Sequence, residues 1–286
     1  MTAALIGNFN YTVHSLLISL AATPVSLLQV IGFFITWAGC WLPIAILLAI
    51  ARGWQLTTSL DKHKLPLLAT LYLIAPIILW IISLLLDRSF LDYGLVWNLT
   101  ILGSLSVGLA IAVFSIAILF ALQTILGWVN WQKVSVQQIT SIAIPTLGLA
   151  VWVSATEELI FRGFVLTQLQ QDYPLWIAAI ISSVIFAGLH LVWEQRETVP
   201  QLFGLGLMGM VLVLARVVDG GSLGLAWGLH SGWVWAIASL DTAGVLTYTG
   251  KAPDWVTGKY GKPLAGILGI LLLLATSSIL WFSSNW

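Results

Sequence analysis

Apolar runs divide the chain into eight stretches long enough to cross a bilayer, whose hydrocarbon core takes about 20 residues of helix. They lie at roughly 27–51, 65–86, 99–126, 140–168, 175–193, 200–218, 222–240 and 263–283. Polar residues gather in the short gaps, and no linker, low-complexity tract or repeat breaks the series. The pattern predicts an all-α fold, a polytopic transmembrane helical bundle of about eight spans. The run Ser15–Ala22 is too short to span and is expected to lie at the interface or to re-enter. Residues 1–139 form an N-terminal set of spans with that interfacial segment. Residues 140–286 form a second unit that holds the candidate chemistry and ends in the last span.

The distribution of Lys and Arg orients such a bundle. With eight spans and an external N-terminus, the cytoplasmic side receives Arg52, Lys62, Lys64, Lys133, Arg196, Lys251, Lys259 and Lys262. The opposite side receives Arg88, Arg162 and Arg216. Both termini are therefore expected outside. The first 24 residues carry no Lys or Arg, so no secretory signal is expected there.

Composition agrees with lipid as the main solvent. Hydrophobic residues make up 59% of the chain and charged residues 8%, against about 25% charged in a soluble domain. The 16 Trp suit anchoring at the two interfaces. The net charge of zero argues against a nucleic-acid partner, which calls for a basic patch. Cys40 is the single cysteine, so no intrachain disulfide forms.

Two motif matches carry little. Gly204, Gly206 and Gly209 satisfy G-x-G-x-x-G, but inside an apolar span rather than between a strand and a helix. Small-residue helix packing explains them better. Asn10 and Asn98 begin N-x-T triplets, which matter only in a glycosylating pathway.

Ionisable groups inside spans are costly and usually functional. Five stand out: Glu157, Glu158 and Arg162 in the fourth span, His190 in the fifth and His230 in the seventh. Glu158 and Arg162 are one helical turn apart, in the favourable order for an ion pair. Glu157 is rotated by about 100° from Glu158 and is left without that partner, as suits a general base. Phe186 lies one turn before His190, where it can fix the imidazole by stacking. Gly220, Gly224, Gly228 and Gly232 recur every four residues and predict a close helix approach. His230 is two residues from Gly228 and Gly232 and points to roughly the opposite side. A buried carboxylate needs donors, and the two imidazoles are the obvious ones, so Glu157, His190 and His230 are expected to converge.

Glu-Glu-x-x-x-Arg, then Phe-x-x-x-His, then a histidine in a Gly-rich span resembles the CAAX proteases and bacteriocin-processing enzymes. This is the type II CAAX prenyl endopeptidase, or abortive-infection, family. The resemblance covers roughly residues 140–240. It implies a glutamate-type intramembrane endopeptidase in which Glu157 activates a water and His190 positions that water or the carboxylate. His230 would stabilise the oxyanion, and Glu158 and Arg162 would support them. Many members carry Asn four residues after the last histidine. Here Val234 stands there, and the Trp233 indole N–H is the possible substitute.

The resemblance implies a peptide or lipidated protein tail as substrate, with membrane lipids as the other partners. No cofactor is expected, although two histidines and a glutamate could also form a three-ligand zinc site. Two other classes stay open. One is a weak or inactive scaffold or immunity factor of the same fold, suggested by Val234. The other is a proton or ion transporter, since buried ionisable groups also line ion paths. The expected location is a multi-pass position in a bacterial inner membrane.

Overall fold

The computed structural model describes residues 23–53, 61–192 and 195–283. The expected interfacial segment 15–22 lies outside them. Eight principal helices carry the fold among the described residues. They are α1 (Val25–Ala51), α2 (Asp61–Leu85), α3 (Leu99–Ile125), α4 (Val136–Leu169), α5 (Leu175–Leu189), α6 (Leu202–Val218), α7 (Gly224–Ala243) and α8 (Ile267–Ser283). Each matches one stretch read from the apolar pattern. The chain is an integral membrane protein built as a helical bundle. Large apolar side chains such as Ile35, Leu47, Phe114, Val184 and Phe203 face outward on it.

Local chemistry sets the helix ends. Asn98 accepts from the Ile101 N–H at 3.3 Å and starts α3, so this N-x-T asparagine is a helix cap. Ser135 does the same for α4 through the Gln138 N–H at 3.1 Å. Gly244, at φ +61°, ends α7 in the left-handed region that costs glycine little.

Span number is the point of difference. Among the described residues, six helices are long and apolar enough to cross a membrane by themselves: Val25–Ala51, Leu65–Leu85, Leu99–Ile125, Val136–Leu169, Leu175–Val192 and Gln195–Val218. Helix α8 has 17 residues, so it reaches about 26 Å at 1.5 Å per residue, a little under the hydrocarbon thickness. Helix α7 has the length, at 20 residues, but it carries His230, Ser231, Asp241 and several Gly. It can do so because protein surrounds it: α3 and α4 cover most of its surface and α6 adds a third side.

The glycine stripe explains the closest of these contacts. A Cβ on Gly224 would stand 2.8 Å from the Ile101 carbonyl oxygen, and one on Gly232 would stand 2.6 Å from the Ala112 Cβ. A Cβ on Gly228 would overlap the Leu105 carbonyl. Gly220 is not part of the stripe. It sits at φ +63° in the turn before α7 and its Cβ position is open, because the helix begins four residues later. Gly204 packs against Leu264 and Gly209 against Ser183 of α5, so the G-x-G-x-x-G match is a packing feature.

The face of α7 turned to α4 is fixed by hydrogen bonds. Trp227 Nε1 donates to the Val151 carbonyl and Trp235 Nε1 to the Ala143 carbonyl, both at 2.8 Å. Outside the apolar pattern, a short antiparallel ribbon joins β1 (Val129–Trp131) to β2 (Leu246–Tyr248), with Val129 opposite Tyr248. It ties the end of α3 to the end of α7.

Candidate active site

The site is built where α4 changes its winding. Immediately after Glu158 the helix opens into a π turn over Leu159–Val165. Such turns shift the hydrogen-bond ladder by one residue and often occur at functional sites. Two buried neighbours serve carbonyls of this turn. Ser182 Oγ of α5 donates to the Phe161 carbonyl at 2.9 Å. The Arg216 guanidinium of α6 donates to the Arg162 carbonyl and, at 3.2 Å, to Thr167 Oγ1. All side chains from Thr156 to Leu166 are buried.

Glu157, Glu158, Arg162 and His230 meet here. Glu158 is 0% exposed, and its Oε1 accepts from Arg162 Nη1 at 3.0 Å and from His230 Nδ1 at 2.7 Å. The other ring nitrogen, His230 Nε2, lies 3.5 Å from Glu157 Oε2. His230 thus stands between the two carboxylates. Its Nδ1 carries the hydrogen, because an ionised carboxylate only accepts. Nε2 can donate as well only when the ring carries both protons. In that state the two carboxylates are balanced by one guanidinium and one imidazolium, a neutral cluster in a region where an unpaired charge is costly.

Helix spacing denies Glu157 the Arg162 guanidinium and leaves the two imidazoles as its expected donors. In the structure the Tyr72 phenol of α2 donates to Glu157 Oε1. Tyr72 drew no attention in the sequence because a tyrosine costs little in a membrane and lies far along the chain. Glu158, in turn, is shared between Arg162 and His230 rather than held by Arg162 alone.

His190 closes α5. Its Nδ1–H donates to the Phe186 carbonyl at 2.8 Å, which leaves Nε2 as the acceptor of a neutral ring. No described hydrogen bond joins His190 to Glu157 or to His230. It faces them as a wall of shared space. A cavity of about 420 Å³ is bounded by Tyr72, Glu157, Phe186 and His190 together with Phe34 and Trp37 of α1. A second cavity, of about 320 Å³, reaches His190 and His230 from the side of α6 and α8, and Val234 lines it.

Phe186 sits at the centre of this arrangement. Its ring meets the His190 ring edge-on at 4.7 Å and the His230 ring at 5.8 Å, and the Arg162 guanidinium carbon lies 4.3 Å from its centroid. Trp233 does not offer the substitute donor. Its Nε1–H is engaged by Ser115 Oγ of α3 at 3.2 Å. Among the described residues, no three His, Cys, Asp or Glu side chains are grouped so as to hold a metal ion.

Residues 138–236 match the family model of the type II CAAX prenyl endopeptidase Rce1-like proteins. The chain is also similar to an uncharacterized 24.3 kDa protein of Escherichia coli, 28% identical over 89 residues, which is 30% of this chain. The match spans 40% of that relative's length. No solved structure matches the chain. The segment that carries Glu157, Glu158, Arg162, His190 and His230 is therefore similar to a type II CAAX prenyl endopeptidase Rce1-like domain, within a multi-pass membrane protein.

Proposed function

We propose that this protein is an intramembrane endopeptidase that hydrolyses peptide bonds with a water activated by Glu157, without a metal. The observation that carries the reading is the Glu157 carboxylate, 6% exposed, held between Tyr72 and His230 at the wall of a cavity. Glu157 takes a proton from a water, whose oxygen bonds to the scissile carbonyl carbon. The carbonyl π electrons move to oxygen, and the Nε2–H of doubly protonated His230 stabilises the resulting oxyanion. When the carbon–nitrogen bond breaks, Glu157 returns the proton to the departing amine. His190, with Nδ1 committed to Phe186, presents Nε2 as an acceptor for the attacking water. Excluding bulk water from such a space strengthens each of these interactions.

The substrate is a peptide or lipidated protein tail at the membrane surface, and the protein is a multi-pass component of a bacterial inner membrane. The test compares membrane-peptide proteomes of parent cells and cells carrying Glu157→Gln, which keeps shape and loses the base. Peptides that appear only in the parent identify the substrate. Identical peptide sets, together with equal cleavage by the two purified proteins, overturn the mechanism.

A second reading, a scaffold or immunity factor on the same fold, is favoured by Val234 in the cavity that His230 lines. Full complementation by Glu157→Ala selects it.

A further inference from the structure

Tyr72 belongs to α2, outside the segment that matches the family model, and lies 85 residues before Glu157 in the chain. Its phenol nonetheless donates to Glu157 Oε1. The Trp152 ring of α4 meets the Tyr72 ring edge-on at 6.3 Å and holds it in place. Tyr72, Glu157 and His190 face one cavity. The contact therefore joins an N-terminal helix to the reacting carboxylate itself, not to the supporting pair of Glu158 and Arg162.

The two oxygens of Glu157 are thereby made unequal. Oε1 accepts from the phenol, which keeps its proton at neutral pH and so acts as a donor there. Oε2 faces His230 Nε2 at 3.5 Å, a separation that leaves the oxygen only loosely engaged. We infer that Tyr72 is a positioning residue for the proposed hydrolysis: by occupying Oε1 it orients the carboxylate and assigns Oε2 as the oxygen that receives the water's proton. The inference rests on the peptidase reading above. It gives α2 a part in the chemistry that the matched segment does not contain.

A catalytic carboxylate free to rotate spends less time aimed at its water. A hydrogen bond to a charged group is worth enough that its loss costs on the order of 10- to 100-fold. That cost should fall on kcat, because Tyr72 acts through Glu157.

The test uses the full-length protein in lipid nanodiscs, with Tyr72→Phe and with 3-fluorotyrosine inserted at position 72. Tyr72→Phe keeps the ring against Trp152, and the fluorinated ring keeps the donor. Cleavage is followed with dye-labelled casein, and infrared difference spectra against Glu157→Gln isolate the Glu157 carboxyl bands. We expect kcat to fall by about 10- to 100-fold in Tyr72→Phe with KM within about twofold. Fluorotyrosine restores the rate, and the Glu157 bands shift in Tyr72→Phe alone. Unshifted bands with unchanged kcat overturn the inference and leave the peptidase reading standing. A rise in KM with kcat unchanged also overturns it, since Tyr72 would then act on binding. A parent protein that cleaves no casein while its bands still shift on Tyr72→Phe counts against the peptidase reading, and with it against any catalytic use of the contact.

Discussion

Arg162→Met removes the guanidinium from the most enclosed ion pair among the described residues and keeps an unbranched apolar stem over Phe186. Arg162 and Glu158 are 1% and 0% exposed at the side chain, so solvent cannot replace the lost partner. Breaking a buried pair by removing one member costs about 3–5 kcal/mol, because the other charge stays buried. Two features place this case near the lower end. Glu158 Oε1 keeps the His230 Nδ1 donor at 2.7 Å. Arg162 Nη2 and Glu158 Oε2 have no protein partner, so the pair is incompletely satisfied from the start. The cation over the Phe186 ring adds a loss of up to about 2 kcal/mol in a desolvated place. The expected total is about 3–5 kcal/mol, or roughly a 100- to 5000-fold change in the folded-to-unfolded ratio. Equilibrium unfolding in mixed dodecyl maltoside and dodecyl sulfate micelles, followed by tryptophan fluorescence, measures it. The double variant Arg162→Met with Glu158→Gln removes both charges and should recover to within about 1.5 kcal/mol of the parent, because residues sharing one ion pair are energetically coupled. A single variant within about 1 kcal/mol of the parent refutes the reasoning, and so does a double variant whose loss equals the sum of its singles.

The same unfolding assay separates the glycines of α7 from others. Gly228→Ala and Gly232→Ala should each cost about 1–3 kcal/mol through overpacking on α3, whereas Gly206→Ala, with open space at its Cβ position, should not destabilise. Val234→Asn adds a side-chain donor beside His230 and should raise kcat, up to the roughly 100- to 1000-fold that one oxyanion donor is worth; a reduced or unchanged kcat argues against an oxyanion at that place. In the loop between α2 and α3, the Ser89 N–H at 2.7 Å and then its hydroxyl at 2.9 Å hold the Asp92 carboxyl below its usual range. A lowered folded-state value means that this turn adds stability above the ordinary aspartate range and loses it as pH falls through the lowered value. Carboxyl carbon NMR across that window should find Asp92 titrating later than a free aspartate on acidification, and Ser89→Ala should bring it back toward normal.

Much of the fold is legible in the apolar pattern because lipid imposes one demand, a long apolar helix, on every residue that faces it. That demand relaxes inside the bundle. Helix α7 shows the consequence, since its polar residues are tolerated only because α3, α4 and α6 surround it. The pairing of Glu158 with Arg162 and the stacking of Phe186 on His190 were readable because both join residues one turn apart. The contacts of Tyr72 with Glu157 and of Trp233 with Ser115 were not. Each depends on which helices become neighbours, and neither Tyr72 nor Ser115 is costly enough in a membrane to draw attention by itself. The π turn after Glu158 was also hidden. Its widened carbonyls are served by Ser182 and Arg216 from other helices, and the sequence between Leu159 and Val165 carries no local sign of it.

The modest apolarity of α7 also bears on how the protein is made. A segment with a histidine, an aspartate and a row of glycines partitions poorly into lipid at the lateral gate of a translocon. It gains a suitable environment only by sliding against a helix already there. Leu99–Ile125 is synthesised earlier and offers the backbone surface that Gly224, Gly228 and Gly232 fit. Ribosomal order thus delivers the groove before the helix that fills it, and His230 arrives in the bilayer as cargo of a helix–helix docking event.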